Sequence, residues 1–196
     1  MITNSYLNEK ASHMKKKILI LNGSPRKNGN TAALIDRFID GAQKVGHDIT
    51  RFNIQQMNIH PCIGCLKGGK DPNSPCTQKD DMDKIYKAFK ECDLVVLASP
   101  MYYWSFTAQL KAVLDRLFAV AEEFKAMPKK DCMMIIAAED DSESNKAPLF
   151  SYYGLLMNAL NWNDKGSLIA GGVYEVGDIT GKPTLDEAYR MGIEYK

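Results

Sequence analysis

Ile18-Leu19-Ile20-Leu21 is an unbroken apolar run with lysines before it and Asn22-Gly23 after it. A run this short and this sharply bounded is a strand buried on both faces. After a loop of small and polar residues, Thr31 opens a helical pattern with apolar residues at Leu34, Ile35, Phe38, Ile39, Ala42 and Val45. The same unit returns down the chain. Leu94–Ala98 precedes helical spacing at Phe106, Leu110, Val113, Leu114 and Leu117, and Cys132–Ala138 precedes a helix over Leu149–Leu160. Ile49–Ile54 alternates as a second strand, Met82, Ile85, Tyr86 and Phe89 fit a short helix, a fifth strand falls at Ser167–Val173, and Leu185–Ile193 closes as a helix. Strands alternating with helices dictate right-handed βαβ units and a parallel sheet covered on both faces. The expected class is α/β: a three-layer sandwich around a five-stranded parallel sheet in the order 2-1-3-4-5.

The chain has 196 residues, and 15–196 are expected to form one domain; residues 1–14 are polar and patternless and read as a leader, a tag remnant or a disordered arm. A net charge of +1 creates no field for nucleic acid or an anionic membrane. No apolar run is long enough to span a bilayer, and the N-terminus lacks the apolar core of a secretory signal. Five cysteines, an odd number, fit a reducing cytoplasm better than a disulfide framework.

Between strand 1 and its helix lies Ser24-Pro25-Arg26-Lys27-Asn28-Gly29-Asn30. Free N–H groups at a helix start form an anion site, helped by the positive end of the helix dipole. Gly23 and Gly29 let the backbone turn tightly near a ligand. Ser24, Asn30 and Thr31 add side-chain donors, Arg26 adds charge, and Thr31 or Asn30 is the expected helix cap. The stretch suits a phosphate group. It is neither the phosphate loop of nucleotide hydrolases nor the dinucleotide fingerprint, since both glycine spacings are missing. An ordinary strand-to-helix turn would use the same residue types.

In a sheet of order 2-1-3-4-5, ligands sit beyond the C-terminal strand ends where the winding reverses, between strands 1 and 3. Strand 3 ends in Ser99-Pro100-Met101-Tyr102-Tyr103-Trp104-Ser105. A phosphate loop facing an aromatic loop suggests a ligand with a phosphate tail and a flat ring. These aromatics could equally be core or a subunit interface. Three stretches together, N-G-S-P-R-x-x-G-N-T, S-P-M-Y-Y-W-S and A-Q-L-K-A-V-L-D-R, resemble the flavodoxin-like NADPH-dependent FMN reductases over about two-thirds of the chain after Met14. The resemblance implies a flavodoxin-like fold and FMN as cofactor. Its phosphate would be contacted by Ser24, Arg26, Asn30 and Thr31. Its ring and ribityl chain would lie against Pro100, Met101, Tyr102, Tyr103 and Trp104. It further implies NAD(P)H as co-substrate and a small-molecule acceptor such as a quinone or free flavin. The loop Ala138-Glu139-Asp140 would also approach the ring but is unusually acidic.

The flavin would carry the chemistry, so no catalytic side chain is expected. His13, His47 and His60 show no triad-like setting. An electron carrier docking protein partners like a flavodoxin, or a non-catalytic flavin-binding protein, are the alternatives; the near-neutral charge disfavours the first. A homodimer is expected, because a monomer would leave the aromatic loop beside an open groove. Gln55–Asp81 is a long irregular stretch carrying Cys62, Cys65 and Cys76. It resembles the iron–sulfur flavoprotein branch, but Gly68 stands where that branch carries a further cysteine, leaving a four-cysteine site incomplete. A zinc site with His60, a Cys62–Cys65 redox pair and a reduced loop left from a cluster-binding ancestor compete; the last is preferred, with no metal. The loop is expected at the rim of the active site, in its own subunit or a neighbour's. Cys92 and Cys132 are expected in the core.

Overall fold

The computed structural model describes residues 14–71, 73–121 and 127–196; Met1–His13, including His13, lie outside the described residues. Five parallel strands, β1 (Lys17–Asn22), β2 (Asp48–Asn53), β3 (Leu94–Pro100), β4 (Asp131–Ala137) and β5 (Asn163–Ala170), run in the order β2-β1-β3-β4-β5. The helices are α1 (Asn30–Lys44), α2 (Met82–Glu91), α3 (Ala108–Arg116), α4 (Glu143–Leu160) and α5 (Thr184–Glu194). Short 3₁₀ turns follow β2 at Ile54–Gln56 and α3 at Leu117–Ala121.

The alternation of side chains along β1 divides the interior into two cores. Leu19 and Leu21 face α2, α3 and α4; Ile18 and Ile20 face α1 and α5. All four are essentially inaccessible, which explains why the strand appears as an unbroken apolar run. Cys92 and Cys132 are core residues, and burial pushes the Cys92 thiol up to about 11.

Three boundaries differ from the sequence-based expectation. The cap of α1 is Gly29, in extended conformation, and no side chain caps the helix; Asn30 and Thr31 already lie inside it. β5 begins at Asn163 rather than Ser167, because its first half, Asn163-Asp164-Lys165, is an exposed edge segment with no apolar signal. It pairs by backbone, Asp131 with Asn163, before a register shift near Cys132. α4 begins at Glu143, six residues before Leu149, and runs through Pro148, at the loss of one helical hydrogen bond.

α1 and α5 approach so closely that a Cβ on Gly41 would collide with the Tyr189 carbonyl, and one on Gly192 with the Phe38 carbonyl. The backbones meet because both helices present glycine at the crossing. On the other side of the sheet, the long loop after β2 is anchored by a buried ion pair. Arg116 Nη1 lies 2.8 Å from Asp80 Oδ2, and Nη2 lies 3.1 Å from Oδ1. The guanidinium also donates to the carbonyls of His60 (2.8 Å) and Gln78 (3.3 Å), while Asp80 accepts the backbone N–H groups of His60 and Met82. Burial pushes the Asp80 carboxyl up, but Arg116 and the two N–H donors outweigh it and hold it at about 2.

Gly192→Ala is expected to destabilise the fold by about 1–3 kcal/mol through overpacking, read as a lower urea midpoint; an unchanged midpoint would mean the crossing is slack. Asp80→Asn leaves Arg116 buried without its counter-charge, at a cost of about 3–5 kcal/mol. Because the folded pKa of Asp80, about 2, lies below its unfolded value of about 3.9, the pair's contribution is full above that value and is lost as pH falls toward 2. Wild-type stability should therefore fall more steeply than the variant's across that interval.

Candidate functional site

The C-terminal ends of β1, β3, β4 and β5 are laced to one another. Gly23 N donates to Ala98 O (2.8 Å), and Thr107 Oγ1 donates to Gly23 O (2.8 Å). Thr107 N in turn donates to Ser99 Oγ (3.0 Å). One buried threonine thus joins the loop after β1 to the loop after β3, and its hydroxyl also caps α3 by accepting from Leu110 N. A Cβ on Gly23 would lie 2.7 Å from both Thr107 Oγ1 and Leu110 Cβ, so only glycine allows this approach. Further along, Met101 N donates to Ala137 O, Val173 N to Ala138 O and Gly172 N to Glu139 O.

The first loop curls on itself. Asn22 Oδ1 accepts Ser24 N at 3.0 Å, and Ser24 Oγ accepts Arg26 N at 3.2 Å. A Cβ on Gly29 would come within 2.9 Å of Arg26 Cβ, filling the cradle at the start of α1. The first N–H groups of α1 have no intrahelical partner and open into this cradle. Arg26 Nη1 donates to Tyr174 O at 2.6 Å, with the guanidinium 5.9 Å from the centre of the Tyr174 ring. The Asn30 side chain spans to the loop after β5: Nδ2 donates to Glu175 O, and Oδ1 accepts from Gly177 N and Ile179 N. Asp178, held below its usual carboxyl range by the N–H groups of Tyr174 and Glu175, stiffens that loop.

The second loop is a two-residue hairpin. Tyr102 and Ser105 exchange both backbone hydrogen bonds, 3.0 and 3.1 Å, across Tyr103 and Trp104. Both central residues have positive φ, 47° and 59°. A primed turn of this kind ordinarily takes Asn and Gly, so two aromatics here store backbone strain. The turn places the Tyr103 ring almost fully in solvent, at 94% exposure.

Between the two loops opens a cavity of about 500 Å³. Ser24, Arg26, Asn30, Thr31, Pro100, Met101, Tyr102 and Tyr103 all line it. Trp104 does not; it lies in an adjoining depression with Asp140 and Asn145. Ala137, Glu139, Val173 and Tyr174 complete the wall. Val173 and Tyr174 are not among the residues the sequence points to, because Ser167–Val173 reads as strand to its end and hides a loop that reaches the same sheet edge. The aromatic Tyr174 immediately after that strand was the available signal.

The cysteine loop leaves the C-terminal edge after β2 but turns away to pack on the end of α3, where Arg116 holds it. None of its described residues lines the cavity in this chain. Cys62 is exposed, Cys65 half-buried and Cys76 buried. The Cys65 thiol is held below its usual range by Thr77, 3.3 Å away, and by backbone at Lys67. His60 Nδ1 lies 3.4 Å from Asp80 rather than joining the cysteines. No three His, Cys, Asp or Glu side chains converge as a metal site among the described residues. A Cβ on Gly68 would press on Ala119 at 3.1–3.2 Å, so the position is packed against the 3₁₀ turn after α3. These residues do not fit an iron–sulfur cluster.

The profile of the NADPH-dependent FMN reductase family matches residues 16–148. An iron–sulfur flavoprotein of Archaeoglobus fulgidus is 38% identical over 95 residues, covering 48% of this chain and 42% of that protein. One from Methanocaldococcus jannaschii is 34% identical over 100 residues, 51% of each. The chain spans about half the length of these curated relatives. A Bacillus subtilis relative, named for an NAD(P)H-dependent FMN-containing oxidoreductase, is 24% identical over 164 residues, covering 80% of this chain and 85% of that protein. Among solved structures, an NAD(P)H:quinone oxidoreductase from Methanothermobacter marburgensis shares the fold with a TM-score of 0.75 at 16% identity, covering 93% of this chain and all of that one.

Asn30→Ala should free the loop at 174–179, seen as faster proteolytic cleavage there, and cost about 1–3 kcal/mol from the orphaned backbone groups. Cleavage at the wild-type rate would show that Asp178 and Arg26 hold the loop without it.

Proposed function

Because the chain belongs to the NADPH-dependent FMN reductase family, we propose that it is an FMN-dependent NAD(P)H oxidoreductase delivering electrons to a quinone, flavin or similar small acceptor. The observation that carries this reading is the joining of the loops after β1 and β3 into one cavity at the winding switch point. FMN, when bound, supplies hydride acceptance from the nicotinamide and release of electrons to the acceptor.

The chain's own residues bind and orient. Ser24, Arg26, Thr31 and the N-terminal N–H groups of α1 hold the phosphate, and Asn30 positions the wall opposite. Pro100, Met101, Tyr102 and Tyr103 flank the ring and ribityl chain, with Trp104 at the outer lip. No side chain is assigned a proton transfer. Residues 15–196 act as one FMN domain. Five free thiols fit a reducing cytoplasm, and no helix among the described residues is long and apolar enough to cross a membrane. A homodimer whose interface lies near the cleft is the expected assembly.

Heat-released cofactor should elute as FMN, and the visible spectrum should be that of flavin alone. Stoichiometric FAD, or no affinity for flavin after reconstitution, contradicts the reading. Arg26→Ala should weaken FMN binding about tenfold or more, the loss of a charge-assisted phosphate contact. An unchanged dissociation constant would place the phosphate elsewhere. FMN bound without any NAD(P)H oxidation in the presence of a quinone would favour the non-catalytic alternative.

A further inference from the structure

Beside the main cavity a second, more open one of about 620 Å³ shares Met101, Tyr103 and Glu139 with it and is completed by Trp104, Asp140 and Asn145. Its walls are of two kinds. The hairpin supplies aromatic faces, with Tyr103 almost fully and Trp104 half exposed. The loop after β4 supplies carboxylates, Glu139 and Asp140, and among the described residues no cation lines the cavity.

The two walls are bolted together. Trp104 Nε1 donates to Asn145 Oδ1 at 2.7 Å, and Asn145 Nδ2 donates to the Asp140 carboxylate. Trp104 is thereby fixed through one amide to the acidic loop. Asp140 also accepts Ser142 N, and these donors keep its carboxyl below the usual range, ionised at neutral pH. Residues 139–146 carry four carboxylates against one ammonium, Lys146. Lys146 is already committed to Asp141 at 2.7 Å and Glu143 at 3.3 Å. Arg26 belongs to the far wall of the main cavity, tied to Tyr174.

Aromatic faces and ionised carboxylates lining one concavity attract a flat cation, through the ring quadrupoles and through charge. An anionic ligand meets repulsion from both. We propose that this second cavity is a subsite for flat aromatic cations, and that it biases the adjoining cleft toward positively charged aromatic acceptors. The acceptor half of this statement rests on the FMN-dependent reading; the binding preference does not.

The probes are N-methylacridinium and acridine, the same ring with and without a fixed charge, titrated in mildly alkaline buffer where acridine is neutral. Wild-type protein, with and without FMN, should bind the cation about tenfold or more tightly than acridine. Raising salt should weaken the cation severalfold and leave acridine unchanged. Asp140→Asn should abolish most of the preference. Equal affinities, or a preference indifferent to salt, overturn the proposal. Those wild-type arms decide it even if the variant fails to fold. In FMN-loaded protein the cation should compete with a neutral quinone during NAD(P)H oxidation. Selective binding without competition would overturn the acceptor assignment. Selective binding in a protein that takes up no FMN would leave the subsite standing and remove the proposed function instead.

Discussion

The site depends on one short contact, the Thr107 hydroxyl on the Gly23 carbonyl at 2.8 Å. The loops after β1 and β3 would otherwise be independent connections at neighbouring strand ends. Thr107 joins them because Gly23 has no side chain to hold them apart, and because Ser99 fixes the threonine backbone from below. The same hydroxyl caps α3, so helix start and loop closure are set by one residue. A cofactor spanning both loops then meets a preformed cleft and avoids much of the ordering cost of binding.

The strain in the aromatic hairpin is compatible with that rigidity. Tyr103 and Trp104 occupy backbone conformations that cost about 1–2 kcal/mol each for L residues. The paired Tyr102–Ser105 backbone bonds and the Trp104–Asn145 bond hold them there. Across the helix layer the buried Arg116–Asp80 pair draws the long loop against α3 and away from the cleft. That packing, together with Gly68 pressed on Ala119, makes the cysteine segment part of the scaffold.

Much of the architecture was legible because β1, β3 and β4 are buried on both faces and announce themselves as apolar runs. Strand order and the meeting of the two loops followed from alternation and the right-handed crossover rule. What escaped depends on contacts between distant residues. The polar start of β5 is held by backbone pairing and by polar contacts of Asn163 and Lys165 with Asp131, so no apolar pattern marks it. Asn30 looks like a helix cap or phosphate donor, yet its amide is taken up by Glu175, Gly177 and Ile179 in a loop far along the chain. Trp104 shares the hairpin of Tyr103, but the turn and Asn145 direct it to the neighbouring depression. Nothing local to Asp80 or Arg116 announces that they form a buried pair.

The central claim is that the cradle formed by Ser24, Arg26 and the start of α1 recognises a phosphate at one end of a flavin site. Calorimetric titration of the flavin-free protein with FMN and with riboflavin tests it most directly, since the two ligands differ only in that phosphate. The account predicts that FMN binds roughly a hundredfold more tightly, as two or more charge-assisted hydrogen bonds would require. Equal affinities for the two ligands would contradict it.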